Sequence, residues 1–196
     1  VLYLYQQAFQ FLRMGYAGAE GEARRGATVV LISGPSALEP PAGVSLQRVR
    51  GAREMEAAVL GAIPQADALL MAAAVADYRP ADVAEQKIKK GEEDLVLRLV
   101  RNPDILLSVR EHRPATLVTV GWAAETEDLV ANGRGKLERK ALDLLVANPV
   151  PQSFAGDDVQ ATLIHAQGET PLEAMPKQAL AERILDEVER LWRERR

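Results

Sequence analysis

Residues 68–75 form the run ALLMAAAV, which is apolar throughout and is followed directly by ADYRP at residues 76–80. A short, continuous apolar run is typical of a strand that is buried on both faces, as in parallel sheets. Similar runs occur at three other places: Thr28–Ser33 (TVVLIS), Leu117–Ala123 (LVTVGWA) and Leu144–Ala147 (LLVA). The sequence therefore predicts a parallel sheet that is covered on both sides.

Segments with helical periodicity separate these strands. We expect helices over Met14–Arg25, Ala52–Ile63, Asp104–Glu111, Glu127–Ala141 and Lys177–Arg195. A further short strand is expected over Val44–Val49, and a hairpin at Ala161–His165 with its turn at Gly168. Strands that alternate with helices indicate the α/β class, here a doubly wound, mainly parallel, Rossmann-like sheet.

The composition fits one globular domain, which we expect to cover residues 1–196, because 47% of the residues are apolar and 27% are charged. A net charge of −4 argues against nucleic acid as a partner. The chain has no cysteine, which excludes disulfides and thiolate nucleophiles. No membrane-spanning run and no signal peptide is visible in the sequence, so we expect a cytoplasmic protein without a membrane partner.

Residues 76–99 depart from the strand–helix alternation. Residues 76–93 form a long polar stretch, and Leu95–Leu99 then alternates as a strand would. Long loops inside a compact domain are often functional lids, so we expect a lid loop and a β extension here. A strand with one apolar face and free edges also favours pairing with a second copy of the chain, so we expect a homodimer in which this segment helps to form the site.

Three glycines, Gly15, Gly18 and Gly21, have the spacing G-x-x-G-x-x-G. The dinucleotide-binding motif is instead G-x-G-x-x-G and lies between a strand and a helix. Close packing of a helix on the sheet is therefore the favoured interpretation, and the spacing is only weak evidence for a cofactor.

Polar groups follow the strand that contains ALLMAAAV. Its small residues would let a ribose or base approach the backbone, and Asp77 would accept hydrogen bonds from such a ligand. An Asx-turn or helix cap at Asp77 explains the same pattern equally well. The lysines of the KIKK run at residues 87–90 are more often solvated in such a setting, although a lysine there can also neutralise phosphate charge.

Two helix termini offer further candidates. Asn102-Pro103-Asp104 opens a helix, where Asp104 can cap the first turn and the free amides can receive an anion, although capping alone suffices as an explanation. Lys136 and Lys140 share one helix face, most simply a solvated one. His112 and His165 have no partner at ligand spacing, and no G-x-S-x-G motif supports a hydrolase triad.

Taken together, the motifs resemble phosphopantothenoylcysteine synthetase, the ligase of coenzyme A biosynthesis. The resemblance covers roughly residues 13–190 and rests on MGYA (14–17), AAAVADYRP (72–80), KIKK (87–90), NPDIL (102–106), GWAAET (121–126) and VAN (146–148). In many bacteria this ligase is the C-terminal half of a bifunctional protein whose other half is a flavin-dependent decarboxylase. The resemblance thus implies a fused or associated decarboxylase, and no flavin bound by this chain.

The resemblance also implies a two-step reaction. The carboxylate of 4′-phosphopantothenate attacks the α-phosphate of CTP, with Mg²⁺, to give an acyl-cytidylate, and the amine of cysteine then displaces CMP. Carried over by motif, Lys87 is the catalytic lysine over the phosphates. The nucleotide-binding positions are Met71, Ala72, Ala73, Asp77, Lys87, Asn102, Pro103, Asp104, Ile105, Trp122, Lys136 and Lys140. The resemblance assigns no metal ligands and no phosphopantothenate contacts.

The chain departs from the family pattern at three points. Trp122 stands where the family usually has Phe, the opening T-x-G-x-T-x-E is replaced by VLYLYQQAF, and Leu12-Arg13 runs into Met14 without the expected S-N-x-S-S-G loop. A chain without that loop should be catalytically impaired. The missing loop favours one rival function, a non-catalytic nucleotide-binding or regulatory module. The other rival, a nicotinamide-dependent reductase, would have the same kind of α/β sheet. The reductase interpretation has no motif support, because such an enzyme needs G-x-G-x-x-G and usually a Tyr-x-x-x-Lys pair. Neither is found here: the residue four positions after Tyr78 is Asp82.

Overall fold

A computed structural model describes residues 15–82, 84, 86–89, 95–125, 128–149 and 158–196. The helices are α1 (residues 15–24), α2 (Ala52–Ala62), α3 (Ile105–His112), α4 (Leu129–Lys140) and α5 (Lys177–Glu194). The strands are β1 (Val29–Ser33), β2 (Val44–Arg48), β3 (Ala68–Met71), β4 (Tyr78–Pro80), β5 (Leu99–Arg101), β6 (Val118–Glu125), β7 (Leu144–Pro149), β8 (Asp158–His165) and β9 (Gly168–Pro176). The predicted helices and buried strands are confirmed to within a few residues, with the exceptions given below.

The central sheet has five strands in the order β3-β6-β7-β8-β9. β3, β6 and β7 run parallel, whereas β8 and β9 form the antiparallel hairpin that the sequence predicts. β1 and β2 make a separate parallel pair, and β4 and β5 a separate antiparallel pair. The α/β class is therefore confirmed, with a mixed sheet that is parallel in its first three strands.

Two hydrophobic clusters cover the two faces of this sheet. Val118 and Val120 of β6 pack on the face that α5 covers, whereas Ala123 packs on the face that α2, α3 and α4 cover. The alternation follows from strand geometry, because successive side chains point to opposite faces. Helices on both faces make this the doubly wound arrangement that the continuous apolar runs predict.

The glycines of α1 allow close packing, as the sequence favours. On the sheet side, a Cβ added to Gly18 would lie 4.0 Å from Leu70 Cδ2 of β3. Gly21 packs instead against helix α5, where an added Cβ would lie 2.7 Å from Leu185 Cδ1. Gly26 ends the helix at a φ of 86°, a left-handed conformation that glycine adopts without strain. Burial raises the pKa of Glu22 on this helix to about 7.

Two expectations about strand limits are wrong. The run Ala68–Val75 is a strand only as far as Met71, and Ala73 and Ala74 beyond it are exposed. The strand expected at Leu95–Leu99 lies instead at Leu99–Arg101. It pairs with the three residues of β4, and Pro80 lies opposite Leu99. The regular ladder ends there, and one further hydrogen bond joins the Ala81 amide to the Arg98 carbonyl at 2.9 Å. Among the described residues, Leu95, Val96 and Leu97 belong to no strand pair.

Asp143 joins three elements at the edge where the parallel strands begin. Its carboxylate accepts hydrogen bonds from the amide (2.7 Å) and the hydroxyl (2.9 Å) of Thr119, and it pairs with Arg113 at 3.2 Å. Arg195, which directly follows α5, pairs with the second carboxylate oxygen. The end of the terminal helix is thereby fixed to the beginning of β6 and β7 by charge-assisted hydrogen bonds.

Several expectations stay predictions. The S-N-x-S-S-G position before Met14 and Lys90 of the KIKK run lie outside the described residues. Among the helices that the structure describes, none is both long enough and apolar enough to cross a bilayer. The single domain over residues 1–196 and the cytoplasmic location are not tested by these observations.

Two glycines of α4 provide a matched test of its packing on the sheet. A Cβ on Gly133 would collide with Ile164 Cδ1 and lie 3.1 Å from Leu145 Cδ2, whereas a Cβ on Gly135 would meet nothing within 4 Å. Gly133→Ala should lower the free energy of unfolding by about 1–2 kcal/mol, because overpacking outweighs the better helix propensity of alanine. Gly135→Ala should raise it by up to about 1 kcal/mol.

Urea unfolding of both variants, followed by circular dichroism, measures the two changes. Equal stabilisation by both substitutions would show that α4 does not approach the sheet as closely as the structure indicates.

Candidate functional site

The predicted site residues lie where β3 ends and α3 begins. Met71, the last residue of β3, is buried, and so is Ala72 after it. A Cβ added to Gly15 of α1 would lie 3.9 Å from Ala72 Cβ, so the small residue accommodates the helix. Ala73 is exposed. The structure thus places the small residues at a strand end, with their backbone accessible beyond Ala72.

α3 begins as the sequence predicts. Asp104 is its N-cap, and Oδ1 accepts a hydrogen bond from the Leu107 amide at 3.4 Å. Pro103 precedes the cap, and Ile105 is buried in the core as the first helical residue. The first-turn amides of a helix have no intrahelical partner, so the start of α3 has the general features of an anion site at a helix N-terminus.

Asp104 also contacts a residue that is distant in sequence. Lys140 Nζ, at the end of α4, lies 2.9 Å from Asp104 Oδ2. The helices meet beside Gly121, where an added Cβ would lie 2.6 Å from Leu142 Cδ1 and 3.4 Å from Leu106 Cδ1. Gly121 therefore leaves room for Leu106 of α3 and for Leu142, which lies just after α4, on this face of the sheet.

Asp77 lies in an exposed segment that is held by Asn102. The Asn102 amide donates a hydrogen bond to the Asp77 carbonyl at 2.7 Å, and its side-chain Nδ2 donates to the Ala76 carbonyl at 2.8 Å. Arg79 donates in turn to Asn102 Oδ1 at 3.2 Å. No separate role for Arg79 is predicted from the sequence, although it belongs to the AAAVADYRP motif, because only the fold shows which atom it contacts.

Three other residues that are predicted to bind the nucleotide lie away from the junction of β3 and α3. Lys87 is exposed, and the described residues provide it with no hydrogen bond or ion pair. Lys136 is one turn before Lys140 on α4 and is partly buried. Trp122 packs with the cluster on the α5 face, opposite the face on which Asp104 and Lys140 meet. Its indole Nε1 is buried without a hydrogen-bond partner among the described residues.

The described part of the chain does not form a cluster of side chains that would bind a metal ion directly. That part contains no group of three or more His, Asp or Glu side chains that could hold a metal ion. What these residues do provide is cationic and amide donors near a strand end, which suit a phosphorylated ligand better than a bare cation.

The model of the DNA/pantothenate metabolism flavoprotein C-terminal domain matches residues 13–191 of the chain. The chain belongs to this family. The match includes β3, α3 and α4, which contribute most of the candidate site, and it confirms the family resemblance that the motifs indicate.

Curated members of the family are similar over most of this chain. The coenzyme A biosynthesis bifunctional protein CoaBC of Vibrio vulnificus (strain YJ016) is 44% identical over 187 residues, which is 91% of this chain and 46% of that protein. The CoaBC protein of Escherichia coli (strain K12) is 42% identical over 185 residues, 90% of this chain and 45% of that protein. The chain therefore spans about half the length of the curated relatives it matches.

A solved structure of the family has the same fold. The crystal structure of the C-terminal domain of CoaBC superposes with a TM-score of 0.80 at 32% identity and covers 93% of this chain and 83% of that one.

Asp104 combines two roles that substitution can separate. Asp104→Asn keeps a good N-cap but removes the charge that pairs with Lys140, so it should change the free energy of unfolding by less than about 1 kcal/mol. Asp104→Ala removes the cap as well and should cost about 1 kcal/mol more. Urea unfolding of the two variants measures the difference. If Asn destabilises as much as Ala, the ion pair rather than the cap stabilises α3.

Proposed function

We propose that this chain is a phosphopantothenate–cysteine ligase that uses CTP and acts in coenzyme A biosynthesis. The observation that carries the proposal is the family match over residues 13–191, together with identities of 42–44% to CoaBC proteins over about nine-tenths of the chain. The fold adds support, because the motif residues that would bind a nucleotide lie mainly where β3 ends and α3 begins.

The proposed chemistry solves a leaving-group problem. A carboxylate does not react with an amine at neutral pH, because oxide is not displaced. In the first step a carboxylate oxygen of 4′-phosphopantothenate bonds to the α-phosphorus of CTP, and the bond to pyrophosphate breaks. In the second step the cysteine nitrogen bonds to the acyl carbon, CMP leaves and a proton is released. The protein would act mainly by positioning and by stabilising negative charge.

Each charged residue would contact a different part of the nucleotide. We propose that Asp77 accepts hydrogen bonds from the nucleoside next to the backbone of Ala72 and Ala73. Lys87, which is exposed on the extension, would approach the triphosphate as a mobile positive charge. On α4, Lys140 already lies 2.9 Å from Asp104, so its ammonium would be oriented before an anion binds.

The remaining predicted contacts would line the nucleotide. The backbone of Asn102, Pro103 and Ile105 would form the wall at the start of α3, because the Ile105 side chain is buried in the core. Lys136 would support Lys140 from the preceding turn. Trp122 brings an indole N–H that is buried without a partner in the described residues, so an acceptor on a ligand would relieve an unsatisfied donor.

Magnesium would enter this site bound to the phosphates of the nucleotide. The described residues supply no cluster of protein ligands, whereas phosphate oxygens are ligands that Mg²⁺ prefers. We therefore expect Mg²⁺ to accompany CTP and derive no step from a protein-held ion.

We further propose a functional link to a flavin-dependent decarboxylase, either in the same polypeptide or as a partner. The chain spans about half the length of bifunctional relatives, and the family model is that of a C-terminal domain. A decarboxylase would consume the phosphopantothenoylcysteine that this domain makes, and no flavin is expected to bind the ligase domain.

The extension also supports a homodimer. Six of its apolar side chains are more than half exposed, namely Tyr78, Ile88, Leu95, Leu97, Leu99 and, at 88%, Val96. Apolar side chains concentrated on one short segment are typical of an interaction surface. We propose that a second copy of the chain covers them, since the short β4–β5 pair leaves free strand edges.

Sedimentation velocity tests the dimer. Wild-type protein should sediment as a dimer at micromolar concentration, and Val96→Asp should raise the dimer dissociation constant about tenfold or more, because it puts a charge into an apolar contact. Val30→Asp is the matched control, because Val30 is also a half-exposed valine but lies on β1. A wild-type monomer, or equal effects of the two substitutions, would contradict this interface.

Pyrophosphate release tests the ligase. Full-length protein should release pyrophosphate when given CTP, Mg²⁺ and 4′-phosphopantothenate, and form the amide product when cysteine is added. Lys87→Ala should slow the release about tenfold or more, because it removes charge that stabilises the leaving pyrophosphate. Lys89→Ala is the control: Lys89 is exposed on the same segment, and its loss should change the rate less than about twofold.

Calorimetric titration in the presence of Mg²⁺ separates the alternatives. CTP should bind more tightly than ATP or NADH. Tight binding of NADH without a CTP signal would favour the nicotinamide-dependent reductase. Binding of CTP without pyrophosphate release would favour the non-catalytic nucleotide-binding module.

A further inference from the structure

Asn102 uses its whole side chain within the protein. Its Nδ2 donates to the Ala76 carbonyl at 2.8 Å, and its Oδ1 accepts from Arg79 Nη1 at 3.2 Å. Its backbone amide donates to the Asp77 carbonyl at 2.7 Å. Both ends of the amide group are thus engaged before any ligand is present, which makes Asn102 better suited to hold the chain than to contact a nucleotide.

The bonds of Asn102 continue the β4–β5 ladder. The regular pairing ends with Tyr78 opposite Arg101, and Asn102 is the next residue. Residues 72–76 have no regular secondary structure, and Ala76 and Asp77 are exposed. Val75 packs against the core, and the bonds from Asn102 restrain the exposed end of the segment that follows it.

Arg79 sets the orientation of the Asn102 amide. Its Nη1 donates both to Asn102 Oδ1 and to the Arg101 carbonyl, so one nitrogen joins the ladder to the side chain that extends it. If the amide were turned over, its NH₂ group would face the guanidinium and an oxygen would face the Ala76 carbonyl. Two donors would then oppose each other, as would two acceptors, so Arg79 selects the orientation that holds Ala76.

We propose that Arg79 is a positioning residue that acts through Asn102 to hold the Ala76–Asp77 segment in the geometry that the nucleotide needs. The Asp77 carboxylate would contact the nucleotide, whereas the side chains of Arg79 and Asn102 would not. This inference rests on the proposed function, which places CTP beside Asp77. It predicts that loss of the Arg79 donor weakens the nucleotide site more than it slows the chemical step.

Steady-state kinetics of the full-length protein test the proposal. Arg79→Met keeps most of the side chain's length but removes the donor, and it should raise the KM for CTP about fivefold or more while kcat changes less than about twofold. Arg79→Lys keeps a donor and should restore the KM to within about twofold of wild type. Arg98→Met is the control, because Arg98 belongs to the same extension but is exposed, and its ion pair within the described residues is with the exposed Asp82, at 3.6 Å.

Amide hydrogen exchange gives a readout that does not depend on the ligase activity. In Arg79→Met the Asn102 amide, which bonds to the Asp77 carbonyl, should exchange about tenfold faster, while core amides of β6 and β7 keep their protection. Asn102→Asp replaces the Nδ2 donor by an oxygen and should have the same effect on exchange. Thermal unfolding of each variant shows whether it is folded.

The outcomes distinguish failure of the proposed ligase function from failure of the proposed role of Arg79. If wild-type protein does not release pyrophosphate from CTP, the proposed function fails, and faster exchange in Arg79→Met would still support the restraint on Asp77. If wild type is active but Arg79→Met keeps the wild-type KM, or if Arg79→Lys is as impaired as Arg79→Met, the positioning role of Arg79 is overturned.

Discussion

The burial of β6 and β7 on both faces is the constraint on which the rest of the structure depends. Leu144, Leu145, Val146 and Ala147 of β7 are each at most 1% exposed. Strands buried in this way need a covering layer on each side, and a polar side chain there would lose its hydration without gaining a partner. Helices therefore cover both faces, glycines appear where those helices approach, and the residues that carry chemistry lie at strand ends and in connections.

The two ends of the parallel strands differ in how firmly they are held. At the beginning of the strands, Asp143 accepts hydrogen bonds from Thr119 and pairs with Arg113 and Arg195, so the charges there are satisfied within the protein. At the other end, a few hydrogen bonds from Asn102 restrain the exposed Ala76–Asp77 segment. Dense anchoring at one end stabilises the fold, and exposed backbone at the other leaves room for a ligand.

The β4–β5 extension connects the two parts of the proposed function. It carries Lys87, which would meet the nucleotide phosphates, and it carries most of the exposed apolar side chains of the described residues. If a second copy covers those side chains, dimer formation would also limit the positions that Lys87 can reach. Binding of the nucleotide and association of two chains would then stabilise each other, because each orders a segment that the other uses.

The sequence by itself determined the α/β class, the order of strands and helices, the Asp104 cap and the family, because these depend on local periodicity, capping chemistry and motif spacing. It did not determine that β3 ends at Met71, or that the extension's strand begins only at Leu99. Nor did it show the contacts of Lys140 with Asp104 or of Arg79 with Asn102. Only the tertiary structure decided these contacts and strand ends. Residues far apart in the chain meet according to how the helices pack and where a partner strand ends, and neither can be predicted from the local pattern of hydrophobic residues.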